Sequence, residues 1–161
     1  MLHALEQMLK TPGASRAILV GTDVPDLNAE VLTRANDVLR NGIAEDGTIC
    51  DVLFGPACDG GFYLVAASKT HKKMFQDVTW SQSTTLEETI RACTTCSLRV
   101  GGIHGDLPRL RDIDTVDDLT AWLHDDNGSV DRGDGLREFI RVAKDAVTEH
   151  ESSPTQTSPT L

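Results

Sequence analysis

The sequence predicts an α/β domain, on three observations. Short apolar runs that read as strands alternate with segments of helical periodicity, which argues for helices layered on a sheet. Loops containing glycine and aspartate fall at or near the ends of those runs. Aromatic residues make up only 4% of the 161 residues, so the core has to be largely aliphatic.

Each element follows from its own pattern. Residues 2–10 place Leu2, Leu5, Met8 and Leu9 on one helical face, and Pro12-Gly13 ends the helix. Residues 16–20 (RAILV) read as a buried strand. Asn28 can cap a second helix running to about Arg40, with Leu27 and Leu32 placed for a hydrophobic staple and Asn41-Gly42 as the stop. Ile49–Phe54 and Phe62–Ala67 read as strands, separated by the loop GPACDGG (55–61). Thr84 with Glu87 fits a capping box for a helix at 85–96, and Ser97–Val100 fits a strand. A short helix is expected at 116–124, with Asp117 and Asp118 opposing its dipole. Residues 125–135 read as loop. Residues 136–149 put Leu136, Ile140, Ala143 and Val147 on one face, and the Ser/Thr/Pro-rich tail reads as disordered. The domain expected is therefore 1–149, with a tail at 150–161.

Composition bounds the function. Hydrophobic residues at 39% and charged residues at 25% are ordinary for a globular chain. The net charge of −10 disfavours nucleic acid as a partner, because phosphates would be repelled. It leaves a phosphate substrate open, since a divalent cation can bridge carboxylates to a diphosphate. No apolar stretch is long enough for a membrane span, and the first residues lack a secretory pattern, so a cytoplasmic setting with reduced cysteines is expected.

Ligands of open α/β sheets sit at the carboxyl ends of strands. Asp23 follows the 16–20 strand closely, where Gly21 permits a sharp turn and Pro25 fixes the backbone beyond it. Its carboxylate suits Mg²⁺ or Mn²⁺, and equally a hydrogen bond within its own turn. Asp112 and Asp114 precede the 116–124 helix; Asp114 reads as a metal contact or an N-cap. Asp59 in the glycine-rich loop can accept from sugar hydroxyls, or the loop is a tight connection only. Trp80 is a stacking surface or a core anchor. Cys93-Thr-Thr-Cys96 has CxxC spacing, yet it falls at a helix end and has no second ligand pair, so it reads as chance. Asn127-Gly-Ser129 and Arg132-Gly-Asp134 also read as chance matches.

Taken in order, GTDVPDL (21–27), VLFGPACDGGFYLVA (52–66), MFQDVTWSQS (74–83) and LPRLRDIDTVDDL (107–119) resemble a bacterial-type family of glycosyltransferase-A-like proteins. Its members are labelled as glycosyltransferases of arsenosugar-biosynthesis type. They are related in fold to nucleotidyltransferases that make guanylylated molybdenum cofactor and lactyl-phospho-guanosine. The resemblance runs from about Ala14 to about Leu123. It implies a GT-A-type nucleotide-diphospho-sugar transferase sandwich with a mixed, mostly parallel sheet and a divalent metal. By the same resemblance Asp23 is the metal aspartate and Asp114 the second metal contact, with Asp112 as its alternate. The substrate-contacting set is Pro25, Asp59, Gly60, Gly61, Trp80 and Ser81. Gln82 departs from the Thr that such proteins carry after Trp-Ser.

The front of the sequence departs further. Such domains open with a strand and a basic phosphate-binding loop, and about two βα units, on the order of 60 residues, have no counterpart here. The expectation is a domain incomplete at its N-terminus, with an exposed sheet edge open to a partner chain or self-association. The activity implied is metal-dependent transfer of a sugar from a nucleotide-diphosphate sugar to a small acceptor. Nucleotidyl transfer on the same fold and a non-catalytic remnant are the alternatives.

Overall fold

The computed structural model describes residues 1–101, 105–124, 140–145 and 148. The chain divides into two compact units, Met1–Asp112 and Ile113–Leu161.

The first unit holds α1 (Leu2–Lys10), β1 (Ala17–Val20), α2 (Ala29–Asn41), β2 (Val52–Pro56), β3 (Phe62–Ala67), α3 (Thr85–Thr95) and β4 (Val100–Gly101). The four strands form one sheet in the order β1-β3-β2-β4. β3 runs antiparallel to both β1 and β2, whereas β4 is parallel to β2. The sheet is therefore mixed, as expected, but the description "mostly parallel" holds only for strand direction. β1, β2 and β4 point the same way, while two of the three pairings are antiparallel. The cause is the connection at 57–61, which is far too short for the crossover of a dozen or more residues that a parallel pair needs.

Alternation along each strand divides the core between the two sheet faces. Ile18, Leu53, Leu64 and Ala66 pack with Val31, Ala35, Val38 and Leu39 of α2. Leu19, Val52, Phe54, Val65 and Ala67 pack on the other face with Leu5 of α1 and Cys93 of α3. Leu5 and Leu53 are fully buried, and burying a side chain of that size stabilises by about 1.5–3 kcal/mol.

The helix ends show which local signals operate. Asn28 accepts from the amides of Glu30 and Val31, and Gly42 closes α2 in the left-handed region at φ 68°. Leu32, the expected staple partner, stays exposed. The capping box expected at Thr84 and Glu87 does not form: Thr84 has helical backbone angles, its hydroxyl donates to Glu88, and Glu87 pairs with Arg91. β2 starts later than expected, because Ile49 forms an isolated bridge with Ile43.

At the amino end of β2, Asp51 is buried and gathers two cationic neighbours. Arg99 donates to it from Nε and from Nη2, both at 2.7 Å, and from its backbone amide at 3.1 Å. Lys69 lies 2.8 Å away. The paired Arg99 holds the Asp51 carboxyl well below the usual range, with burial opposing.

In the second unit, α4 (Val116–His124) presents Trp122 and Leu123 to Ala143, with Ile113, Leu119 and Ile140 around them. Its N-terminus carries the capping box that Thr84 lacks. Thr115 accepts from the Asp118 amide at 3.2 Å, and Asp118 accepts from the Thr115 amide at 2.9 Å. The N-cap is thus Thr115 rather than Asp114, and Asp118 is structural, as read. Leu136 and Val147, the 125–135 loop and the tail from 151 lie outside the described residues. Among the described residues no helix is long and apolar enough to cross a membrane.

Candidate functional site

β1 and β2 run in one direction, so their carboxyl ends, together with the start of β3, share one end of the sheet. Three segments meet there. The 21–27 loop is tied in by Gly21, whose amide donates to the Tyr63 carbonyl at 2.8 Å. Val24 is buried in the core on the α2 side, and Leu27 packs against it. Asp23 is left exposed between these anchors. Its Oδ1 lies over Gly21, where an added Cβ would sit 2.9 Å away. Pro25 is half-buried beside it.

The 57–61 connection is the second segment. Ala57 donates to the Gly61 carbonyl at 3.0 Å, and Asp59 Oδ1 accepts from the Gly61 amide at 2.7 Å. The tight-turn reading of this loop therefore holds. Asp59 is nonetheless exposed, and one oxygen engaged in the turn leaves the second for a ligand. Gly60 sits at φ 93°, and a Cβ there would meet the Ser83 carbonyl oxygen at 2.1 Å. Its own carbonyl accepts from Leu86 at the start of α3. Glycine is required at 60 on both counts.

The third segment is 107–112. Leu110 bridges Ala57 in parallel, with Cys58 donating to the Leu110 carbonyl at 2.9 Å and Leu110 donating to Pro56 at 3.1 Å. This run carries Asp112, half-buried, past the end of β2. Across the sheet end the order is Gly21, Tyr63, Ala57, Leu110. That is three strand spacings, or roughly 14 Å.

Trp80 packs on Phe62, the first residue of β3. Its ring packs 6.2 Å from Phe62 and 6.1 Å from Phe75, yet it remains 43% exposed. It is both anchored and available. Ser81 is exposed and held at φ 57°, an unusual conformation for a non-glycine residue. Asp114 belongs to the second unit, exposed next to the Thr115 cap.

Two contributors escaped the sequence reading. Tyr63 stacks its ring over Gly55, where a Cβ would meet ring carbon at 2.5 Å, and donates its hydroxyl to Pro108 at 3.0 Å. Burial pushes that phenol up to about 12. Arg109 donates to the Ala57 carbonyl at 2.8 Å. The signals were a glycine before Pro56, a tyrosine just after the Asp-Gly-Gly run, and an arginine within LPRLRDID.

A cleft of about 490 Å³ lies elsewhere, between Lys73, Asp77 and Thr79 and the side of α3 from Glu88 to its cap at Cys96. None of the metal- or substrate-contacting residues expected from sequence lines it, although Cys96 of the CxxC run does. Glu88 there is engaged with the Thr79 amide and the Thr84 hydroxyl. Among the described residues no group of three or more His, Cys, Asp or Glu is arranged to hold a metal ion. The CxxC cysteines are free thiols, and burial pushes Cys93 up to about 12.

The fold is similar to one solved for a protein assigned to the nucleotide-diphospho-sugar transferases. A crystal structure from Desulfovibrio desulfuricans G20, provisionally assigned as such a transferase, is similar to it with a TM-score of 0.73 and 26% identity. The likeness covers 93% of this chain and 60% of that one, so the chain spans about 60% of that protein's length. Residues 1–82 match the family described as "Uncharacterized protein conserved in bacteria (DUF2064)". The chain belongs to that family. No curated protein matches it.

Proposed function

We propose that this chain carries the diphosphate- and sugar-handling end of a metal-dependent glycosyltransferase, one that moves a sugar from a nucleotide-diphosphate sugar to a small acceptor. The observation that carries the reading is the convergence of the 21–27, 57–61 and 107–112 segments at one sheet end. The structural likeness to a nucleotide-diphospho-sugar transferase supports it.

The donor groups suit Mg²⁺ or Mn²⁺. Such ions prefer oxygen and are held by one or two carboxylates plus substrate phosphates, so a cluster of three protein ligands is not needed. Asp23, exposed and lying over a glycine that gives it room, would hold the ion. Asp112, roughly three strand spacings from Gly21 on the opposite flank of the first unit, is an alternative holder of the ion rather than a partner of Asp23. When bound, the ion supplies charge neutralisation for the leaving diphosphate.

The reaction breaks the bond between the anomeric carbon and a diphosphate oxygen, which departs with the electron pair. The acceptor oxygen bonds to that carbon and gives up its proton. Asp59 would orient sugar hydroxyls, with the glycines at 60 and 61 permitting close backbone approach. Trp80 would stack on a sugar or acceptor face. Arg109, three residues before Asp112, would add positive charge toward the diphosphate.

Calorimetric titration with Mn²⁺ and a panel of nucleotide-diphosphate sugars tests this. Binding of at least one donor is expected, weakened at least about tenfold in Asp23→Ala. In Gly21→Ala the fold is retained and the carboxylate is shifted, so weakening is expected there too. Donor binding unchanged by Asp23→Ala would sink the reading. Product analysis separates the two chemistries, because a free nucleoside diphosphate marks glycosyl transfer and pyrophosphate marks nucleotidyl transfer.

A further inference from the structure

Trp80 stands in a segment tied down by the first turn of α3. The Thr79 carbonyl accepts from the Thr85 hydroxyl at 2.9 Å, and the Thr79 amide donates to Glu88 Oε2 at 2.7 Å. The residue before Trp80 is therefore held through both of its backbone polar groups. Thr85 is buried, and its hydroxyl oxygen also lies 2.7 Å from the Gln82 carbonyl and accepts from the Gln82 amide at 3.1 Å. Glu88 takes a second bond, from the Thr84 hydroxyl at 2.9 Å. Next to Thr85, the Leu86 amide donates to the Gly60 carbonyl at 3.0 Å. One helical turn thus fixes the Trp80 segment through side chains and the Asp59–Gly61 turn through backbone.

Helix capping does not account for all of these bonds. The contacts between Thr85 and Gln82 serve the start of α3, as hydroxyls at helix starts commonly do. The two bonds to Thr79 add nothing to the helix and act on the approach to Trp80. Ser81 follows the ring at φ 57°, and Asp77 precedes it at φ 58°. Strained backbone of this kind persists only where its surroundings over-determine it. The ring itself has limited support: it contacts Phe62 and Phe75 at centroid distances of 6.2 and 6.1 Å and stays 43% exposed. The orientation of such a ring falls to the backbone that carries it.

We infer that Thr85 and Glu88 are positioning residues that keep Trp80 as a preformed face, held on the same helical turn that holds the Asp59–Gly61 loop. Each acts through the backbone of Thr79. The use of that face in binding rests on the reading given above, in which Trp80 stacks on a sugar or acceptor ring. A face set before the ligand arrives avoids the side-chain and loop ordering that binding would otherwise require.

Acrylamide quenching of tryptophan fluorescence in the ligand-free full chain tests the positioning directly. Trp122 is buried, so the indole that acrylamide reaches is that of Trp80. Thr85→Val, which deletes the hydroxyl at nearly constant shape, and Glu88→Ala are each expected to raise the quenching constant about twofold as the segment opens locally. Thr85→Ser restores a hydroxyl and should return the wild-type value. Thr89→Val is the control for lost stability alone. Thr89 is fully buried and its hydroxyl donates to the Thr85 carbonyl at 2.7 Å, not to the Trp80 segment, so quenching should stay unchanged. Glu88→Ala decides the matter should Thr85→Val fail to fold. Calorimetry with Mn²⁺ and the panel of nucleotide-diphosphate sugars then reads the consequence for binding. Thr85→Val is expected to weaken the donor about fivefold when Trp80 is present and not at all in a Trp80→Ala background, because the two residues act as one unit. If no donor binds, the diphosphate reading falls, and the quenching series still judges the positioning by itself. Wild-type quenching in both folded Thr85→Val and Glu88→Ala, an equal rise in Thr89→Val, or the same weakening with and without Trp80 would overturn the inference.

Discussion

Replacing Gly60 with alanine tests whether the 57–61 loop is held in place by its contact with Ser83. Two costs add. A non-glycine residue in the left-handed region costs about 1–2 kcal/mol, and Gly60 sits at φ 93°. The new Cβ would also stand 2.1 Å from the Ser83 carbonyl oxygen and 2.6 Å from two further backbone atoms. Backbone on one side has to move, which breaks the bond from the Leu86 amide to the Gly60 carbonyl, now 3.0 Å. Leaving such a group unsatisfied costs about 1–3 kcal/mol. The sum is about 2–5 kcal/mol. Gly47 is the matched control: its φ is 82°, but a Cβ there would meet nothing within 4 Å. Gly47→Ala should therefore show the conformational cost alone. With a urea m-value of about 2 kcal/mol/M, the Gly60→Ala midpoint should fall by about 1–2.5 M and the control by about 0.5–1 M. Equal midpoints for the two variants would refute the clamp.

The remaining predictions concern charge and thiols. Asp51 has its folded pKa lowered by Arg99, so its contribution is complete above the ordinary Asp value of about 3.9 and is lost as pH falls below it. Asp51→Asn should cost about 2–3 kcal/mol at pH 7, discounted from a fully buried pair because Arg99 and Lys69 are about half-exposed. The gap between urea midpoints of wild type and variant should narrow as pH falls below about 3.9 and close only when the folded-state carboxyl protonates well below that; a gap independent of pH would argue against the ion cluster. Burial pushes the Cys50 thiol up to about 11 and Cys93 up to about 12, so both stay protonated at neutral pH. An aromatic disulfide reagent should react quickly with exposed Cys58, more slowly with half-buried Cys96, and with the other two only after unfolding. Rapid reaction of all four thiols in the native protein would contradict the packing.

Local signals were read correctly where the chain acts locally. Asn28 caps α2 and Gly42 stops it because both operate within one helical turn. The apolar face of α1 likewise needs only its own periodicity. Direction in the sheet was less legible, since FYLVAA is a buried strand whichever way it runs. Its orientation depends on reading 57–61 as a tight turn. The S/T-x-x-acid pattern fits Thr84–Glu87 and Thr115–Asp118 alike, and only backbone angles separate them. The Asp51–Arg99 pair joins residues 48 positions apart, and the Tyr63–Pro108 bond joins residues 45 apart. No spacing rule reaches that far. The candidate site was visible as three loops, but the contacts that align them were not.

The β2–β3 pairing has a consequence for how the sheet end comes to exist. It is the most local pairing of the sheet, joined through residues 57–61, and hairpins of this kind form on a scale of about 1–10 μs. The tie from Gly21 to Tyr63 spans 42 positions and the tie from Cys58 to Leu110 spans 52. Closing larger loops is entropically costlier and slower. The hairpin is thus the early scaffold, and the segments bearing Asp23 and Asp112 dock on either flank afterwards. A nascent chain holds the Asp59 turn before it holds the flanks. Substitutions that weaken the hairpin should delay both flanks together, whereas a change confined to one flank leaves the other free to assemble on schedule.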